Sequence, residues 1–159
     1  MYVEALGGPE HSLVEWARQG VEKGGYLVRH SENGDAHEVG WIHSTLANLA
    51  HEVGLHAEAR AANLNEIVDF LTQGYLVVAS VSYEVGDDRL PITKKGGHLL
   101  VVVGAEYDKG GPLAFYVNNP SGRRTELQAE ARLTVERFTL AYSGRVILFR
   151  CTNTLAETG

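Results

Sequence analysis

In the first half of the chain, apolar residues recur at helical spacing. Leu13, Trp16, Ala17 and Val21 can share one face of a helix over residues 12–23. Ser12 with Glu15 three positions on forms a capping box, and Gly24-Gly25 ends the helix. Residues 2–6 are also helix-compatible but stop at Gly7-Gly8-Pro9, so they read as the tail of a longer helix. Residues 26–40 are polar, carry the turn dipeptide Asn33-Gly34, and read as a long connection, a candidate functional or mobile loop. A third helix is predicted over residues 43–53, where Leu46, Leu49, Ala50 and Val53 keep the spacing and Gly54 closes it. Residues 55–60 read as a short extended segment. Asn63, with Glu66 as its reciprocal partner, caps a fourth helix whose apolar face is Leu64, Ile67, Val68 and Leu71, with Gly74 as its stop.

The second half changes period. Residues 76–83 are valine-rich and read as a strand, followed by a polar loop over 86–97. Strands over 99–103 and 113–117 are joined by the Gly110-Gly111-Pro112 turn, and so short a connection favours antiparallel pairing. Thr134 caps a short helix over 135–142 that ends at Gly144, and residues 145–151 form a last strand. Helices first and strands second predict an α+β fold, with N-terminal helices packed on a C-terminal antiparallel sheet. We expect one domain over 1–151 and a flexible polar tail over 152–159.

Composition narrows the function classes. The chain has 159 residues, a length suited to one domain. Its 14 basic and 20 acidic residues leave a net charge of −6 with histidine neutral. That balance argues against a nucleic-acid binder, which needs a basic face to displace phosphate counterions. One cysteine excludes an internal disulfide framework and multi-thiolate zinc sites. The longest apolar run, residues 99–103, is strand-sized, and residues 1–6 lack the pattern of a signal peptide. A cytoplasmic protein without membrane association is therefore expected. His11, His30, His37, His43, His51 and His56 give no metal-binding spacing; His51 and His56 are not an i, i+4 pair. Gly24-Gly25 and Gly96-Gly97 lack the context of a phosphate loop, so no cofactor and no metal are expected.

His98 is the strongest chemical candidate. It opens a buried-looking strand directly after Lys94-Lys95-Gly96-Gly97, and the two glycines let the backbone approach another surface. An imidazole held there can act as a general base near neutral pH. Asn118-Asn119-Pro120-Ser121-Gly122 ends the next strand. If the two strands pair, Asn118 or Asn119 can lie beside His98 and orient its ring, although the same residues also make an ordinary turn. Cys151 ends a strand with no following helix to stabilise a thiolate, and reads as a small packed hydrophobe. Ser80, Ser82 and Ser121 have no evident base or oxyanion hole. The charged loop over 84–95 reads as solvated.

Five segments together resemble the peptidase C39-like family, over about residues 1–150. They are Gly40-Trp41-Ile42-His43, Gly54-Leu55-His56-Ala57-Glu58, the run from Gly74 to Val81, the run from Gly96 to Gly104, and the run from Tyr116 to Gly122. The resemblance implies a papain-like cysteine-proteinase fold with His98 as catalytic histidine. Asn119 stands where the family usually has an aspartate. Gly97, Trp41 and His43 are implied to line a substrate cleft. The family carries its cysteine at the start of its first long helix, preceded by a glutamine. Residues 1–6 match only the end of that helix, so the resemblance implies a truncated first helix and no nucleophile in this sequence. It implies an inactive or incomplete cysteine peptidase that binds a peptide or protein segment. A homodimer covering the shortened helix is a further expectation. Two alternatives stay open: an active peptidase or acyl-transfer enzyme whose cysteine lies upstream or on a partner, and a non-catalytic interaction domain.

Overall fold

A computed structural model of the chain describes Gln19 and residues 26–30, 36–41, 43–52 and 55–151. The elements are β1 (Tyr26–His30), β2 (Ala36–Trp41), α1 (His43–Glu52), β3 (Leu55–Ala61), α2 (Leu64–Thr72), β4 (Leu76–Val81), β5 (His98–Asp108), β6 (Gly111–Asn118), β7 (Ala131–Thr134), α3 (Val135–Ala141) and β8 (Tyr142–Cys151). Short 3₁₀ turns occupy Tyr83–Gly86 and Thr125–Leu127. The fold is α+β. The described residues group into two compact units, one holding those up to Ala59 and from Leu148 onward, the other Arg60–Ile147. The expected helix over residues 2–6, the Gly7-Gly8-Pro9 break and the tail over 152–159 lie outside the described residues, as does all of the 12–23 helix except Gln19.

In the first unit, Gln19 is helical. The polar stretch over 26–40 is not a loop: β1 and β2 pair antiparallel, from Tyr26 opposite Trp41 to His30 opposite Ala36. Strands therefore occur in the N-terminal third as well, which corrects the expected order of helices followed by strands. Ala47, Leu49 and Ala50 bury one face of α1. In β3, buried Leu55 and Ala57 alternate with exposed His56 and Glu58, the two-residue period of a half-buried strand.

The second unit holds the best-defined core. Asn63 Oδ1 accepts the Glu66 N–H at 2.8 Å, and the Glu66 carboxylate accepts the Asn63 N–H at 3.1 Å, closing the capping box on α2. Gly74 follows α2 at φ +83°, in the left-handed region that favours glycine after a helix. The sheet of this unit runs in the order β4-β5-β6-β7. β4, β5, β6 and β7 pair antiparallel in turn, with Val77 opposite Val102, Val102 opposite Val117, and Phe115 opposite Leu133. Five of six β4 residues are buried, which suits a central strand covered on both faces. Phe138 of α3 packs on Phe115 at 4.6 Å between ring centroids and on Tyr142 at 5.2 Å. Thr134 caps α3 by accepting the Arg137 N–H at 3.3 Å. The Tyr142 hydroxyl donates to the Ala62 carbonyl at 2.7 Å, and burial pushes its pKa up. β5 is longer than its apolar run, and β8 begins at Tyr142 rather than Arg145. Among the described residues no helix is long and apolar enough to cross a membrane.

Candidate functional site

His98 opens β5 opposite Val81 of β4. Gly96 and Gly97, which lead into it, both take left-handed φ values, +72° and +92°. Their reasons differ. Gly96 is buried, and an added Cβ would come within 3.1 Å of Ser143 Cβ and 3.4 Å of Ser80 Oγ. Its N–H donates to the Ala141 carbonyl at 3.0 Å. Gly97 is exposed, with open space where a Cβ would stand, so only its backbone conformation requires glycine.

Pairing of β5 with β6 carries the two strand ends together, with Val101 opposite Asn118. The structure separates the two asparagines. Asn118 is exposed and its Oδ1 accepts the Glu130 N–H at 2.8 Å. Asn119 is 2% exposed, and its Oδ1 lies 2.8 Å from His98 Nε2. The same oxygen accepts the Ser121 N–H at 3.0 Å. A backbone N–H only donates, so the Asn119 atom it faces is the carbonyl oxygen rather than the amide nitrogen. His98 Nε2 must then donate as well. In the neutral ring Nε2 carries the proton, and Nδ1 is the basic nitrogen.

The turn around Asn119 is pinned by its backbone. The Asn119 N–H donates to the Gln128 carbonyl at 2.8 Å, and the Gly122 N–H donates to the Asn119 carbonyl at 3.2 Å. Gln128 Nε2 donates to the Gly122 carbonyl at 2.9 Å. A Cβ at Gly122 would stand 2.4 Å from the Leu127 carbonyl oxygen, so the two backbone segments meet only because this residue is glycine.

The charged loop after β4 is not simply solvated. Glu84 and Asp87 are only 7% and 8% exposed. The Glu84 carboxylate accepts from Thr93 Oγ1, from the Thr93 N–H at 2.8 Å, from Ser82 Oγ at 2.9 Å and from the Lys94 N–H at 3.4 Å. These donors hold its pKa at about 2, with the Thr93 hydroxyl contributing most and partial burial opposing. Asp87 is likewise held at about 2, chiefly by hydrogen bonds from Arg89, which grips it through Nε and Nη2, both at 2.9 Å. The Arg137 guanidinium of α3 donates to the Glu84 and Leu90 carbonyls, both at 3.0 Å, and to the Asp87 carbonyl at 2.8 Å. A run of charge in sequence gave no hint of this. The available signal was the mixture of acids with Ser82 and Thr93, whose hydroxyls can satisfy a carboxylate.

Comparison with solved structures yields a match to a protein from Bacillus anthracis provisionally described as a C39-like peptidase. The TM-score is 0.50 and the identity 19%, covering 72% of this chain and 61% of that one. The likeness is one of fold. No protein-family description and no curated protein matches the chain. This chain thus spans less than two thirds of the matched structure.

The remaining candidates fall elsewhere. Trp41 ends β2 and His43 opens α1, both in the first unit, whereas His98, Gly97 and Asn119 belong to the second. Ser82 is buried and spends its hydroxyl on Glu84, and Ser80 is buried beside Gly96. Ser121 is exposed. The Cys151 side chain lies outside the described residues. A shallow groove is lined in part by Asn63, Lys95, Tyr142 and Ser143, and Gly97, His98 and Asn119 are not among its lining residues. His51 and His56 meet edge to face at 5.6 Å, and among the described residues no cluster of three or more His, Cys, Asp or Glu side chains could hold a metal.

Proposed function

We propose that the chain is a C39-like, papain-fold peptidase homologue that keeps the histidine half of a cysteine-peptidase site and binds peptide without cleaving it. The supporting observation is the His98–Asn119 pair. A buried amide oxygen, fixed by a backbone donor, holds the ring in one tautomer and leaves Nδ1 as the base. In papain-like chemistry that nitrogen takes the proton of a thiol and later returns it to the leaving amine. The amide of Asn119 can orient the ring but adds no negative charge to stabilise an imidazolium. The only cysteine in the sequence, Cys151, ends the last strand of the sheet. The groove lined by Lys95, Tyr142 and Ser143, open and partly polar, suits an extended peptide backbone.

The test is incubation with a peptide library, reading products by mass spectrometry and retained peptides by affinity capture. Retention without cleavage is expected. Cleavage that disappears in His98→Ala would show an active peptidase and overturn the inactive reading. Absence of any retained peptide would leave an interaction domain of another kind.

A further inference from the structure

We propose that the Tyr83–Gly86 turn is a clamp that positions the His98–Asn119 pair, with Glu84 and Gly86 as its positioning residues. The turn touches the approaches to both members. On one side, Glu84 takes hydrogen bonds from the backbone of Thr93 and Lys94 and from the Thr93 hydroxyl. That stretch feeds directly into Lys95-Gly96-Gly97-His98. Both glycines there sit in the left-handed region, and Gly97 has no neighbour within 4 Å of where a Cβ would stand. The Gly96 N–H anchors the segment on Ala141, and Glu84 supplies a second anchor further upstream of the imidazole. On the other side, Gly86 meets the Asn119 turn. A Cβ at Gly86 would stand 2.6 Å from the Ser121 carbonyl oxygen and 3.3 Å from Asn119 Nδ2. The Gly86 carbonyl also accepts the Arg123 N–H at 2.8 Å.

The clamp is held from behind. Arg137 donates to the Glu84, Asp87 and Leu90 carbonyls, tying the turn to α3. The Ser82 N–H and the Gly96 N–H both donate to the Ala141 carbonyl, at 2.9 and 3.0 Å, so the two ends of the loop share one acceptor on that helix. A buried carboxylate is costly unless it is fully hydrogen-bonded. Here every donor to Glu84 comes from the loop that delivers His98 or from the serine that caps the turn. The clamp relies on the proposed peptidase-type reading only for what the pair does; its geometry is tested on the ring itself.

The experiment is nitrogen-15 NMR of the His98 ring in the full chain, at alkaline pH where the imidazole is neutral. Circular dichroism checks that each variant is folded. Wild type is expected to show mainly the Nε2-protonated tautomer. In Gly86→Ala and in Glu84→Gln the ratio of tautomers should fall roughly three- to tenfold towards that of free histidine, the change that loss of one ordinary hydrogen bond produces. Gly104→Ala is the control, because a methyl there meets Tyr116 at an ordinary 3.6 Å, away from the turn. Folded Gly86→Ala and Glu84→Gln proteins with a wild-type ring would overturn the clamp. Should Glu84→Gln fail to fold, Thr93→Val takes its place with the same expectation and the same refutation. A ring response without peptide retention would sink the functional reading and leave the clamp standing.

Discussion

Replacing Asn119 by alanine removes one oxygen that serves two donors. The Ser121 N–H, 3.0 Å from that oxygen, makes a part-buried hydrogen bond inside the Asn119 turn. A buried donor left without a partner costs about 1–3 kcal/mol. The His98 N–H, 2.8 Å away, belongs to a half-exposed ring that can turn to solvent, so its loss adds only about 0.5–1 kcal/mol. The backbone bonds of Asn119 to Gln128 and Gly122 do not depend on its side chain. Asn119→Ala should therefore destabilise the chain by about 1.5–4 kcal/mol, a drop of roughly 1–2 M in the urea midpoint at an ordinary slope. The same variant should release the His98 ring into a mixture of tautomers. Asn119→Asp keeps the acceptor oxygen and should keep the single tautomer. A loss below about 0.5 kcal/mol in Asn119→Ala, with the ring unchanged, would refute the claim that this oxygen organises the site.

Three further outcomes are expected. Phe138→Ala empties the space between Phe115 and Tyr142 and should cost about 3–5 kcal/mol by chemical denaturation; a loss under about 1 kcal/mol would show that the ring stack is not a core element. Gly122→Ala drives a methyl into the Leu127 carbonyl and should cost about 1–3 kcal/mol, whereas an unchanged thermal melt would show that the two backbone segments part freely. Glu84, Asp87 and Glu106 are held at about 2 by hydrogen bonds, chiefly from Thr93, Arg89 and Arg132 respectively, against ordinary values of 4.5, 3.8 and 4.5. Depressed carboxylates contribute stability that is fully present above their unfolded values and disappears as pH falls towards 2. The urea midpoint should thus be higher at about pH 6 than at about pH 3, and equal midpoints would contradict those hydrogen bonds.

Much of the second unit was legible because its signals are local. Asn63 with Glu66, Thr134 at the start of α3, and the valine-rich run of β4 each read correctly from a few neighbouring residues. Proximity of His98 to an asparagine followed from antiparallel pairing across one short turn. Which asparagine faces the ring did not, since that depends on how Gln128 and Ser121 hold the turn. The β1–β2 hairpin was missed because Ala36-His37-Glu38-Val39-Gly40-Trp41 alternates weakly and its polar content resembles a loop; Asn33-Gly34 was the available hairpin signal. β7 was missed because four residues cannot display a period. Burial of Glu84 and Asp87 depends on donors from Thr93 and Arg89, which no pattern of hydrophobicity records.

The tight turn between β5 and β6 also bears on the order of folding. His98 and Asn119 are separated by 21 positions, yet they stand at the far ends of one hairpin, closed at Asp108 opposite Gly111. Hairpins of this kind zip on the microsecond scale, because closing a short loop sacrifices little chain entropy. The pair should therefore approach its register early, as a local event. The longer-range contacts from the Tyr83–Gly86 turn would then tighten an arrangement already roughly in place.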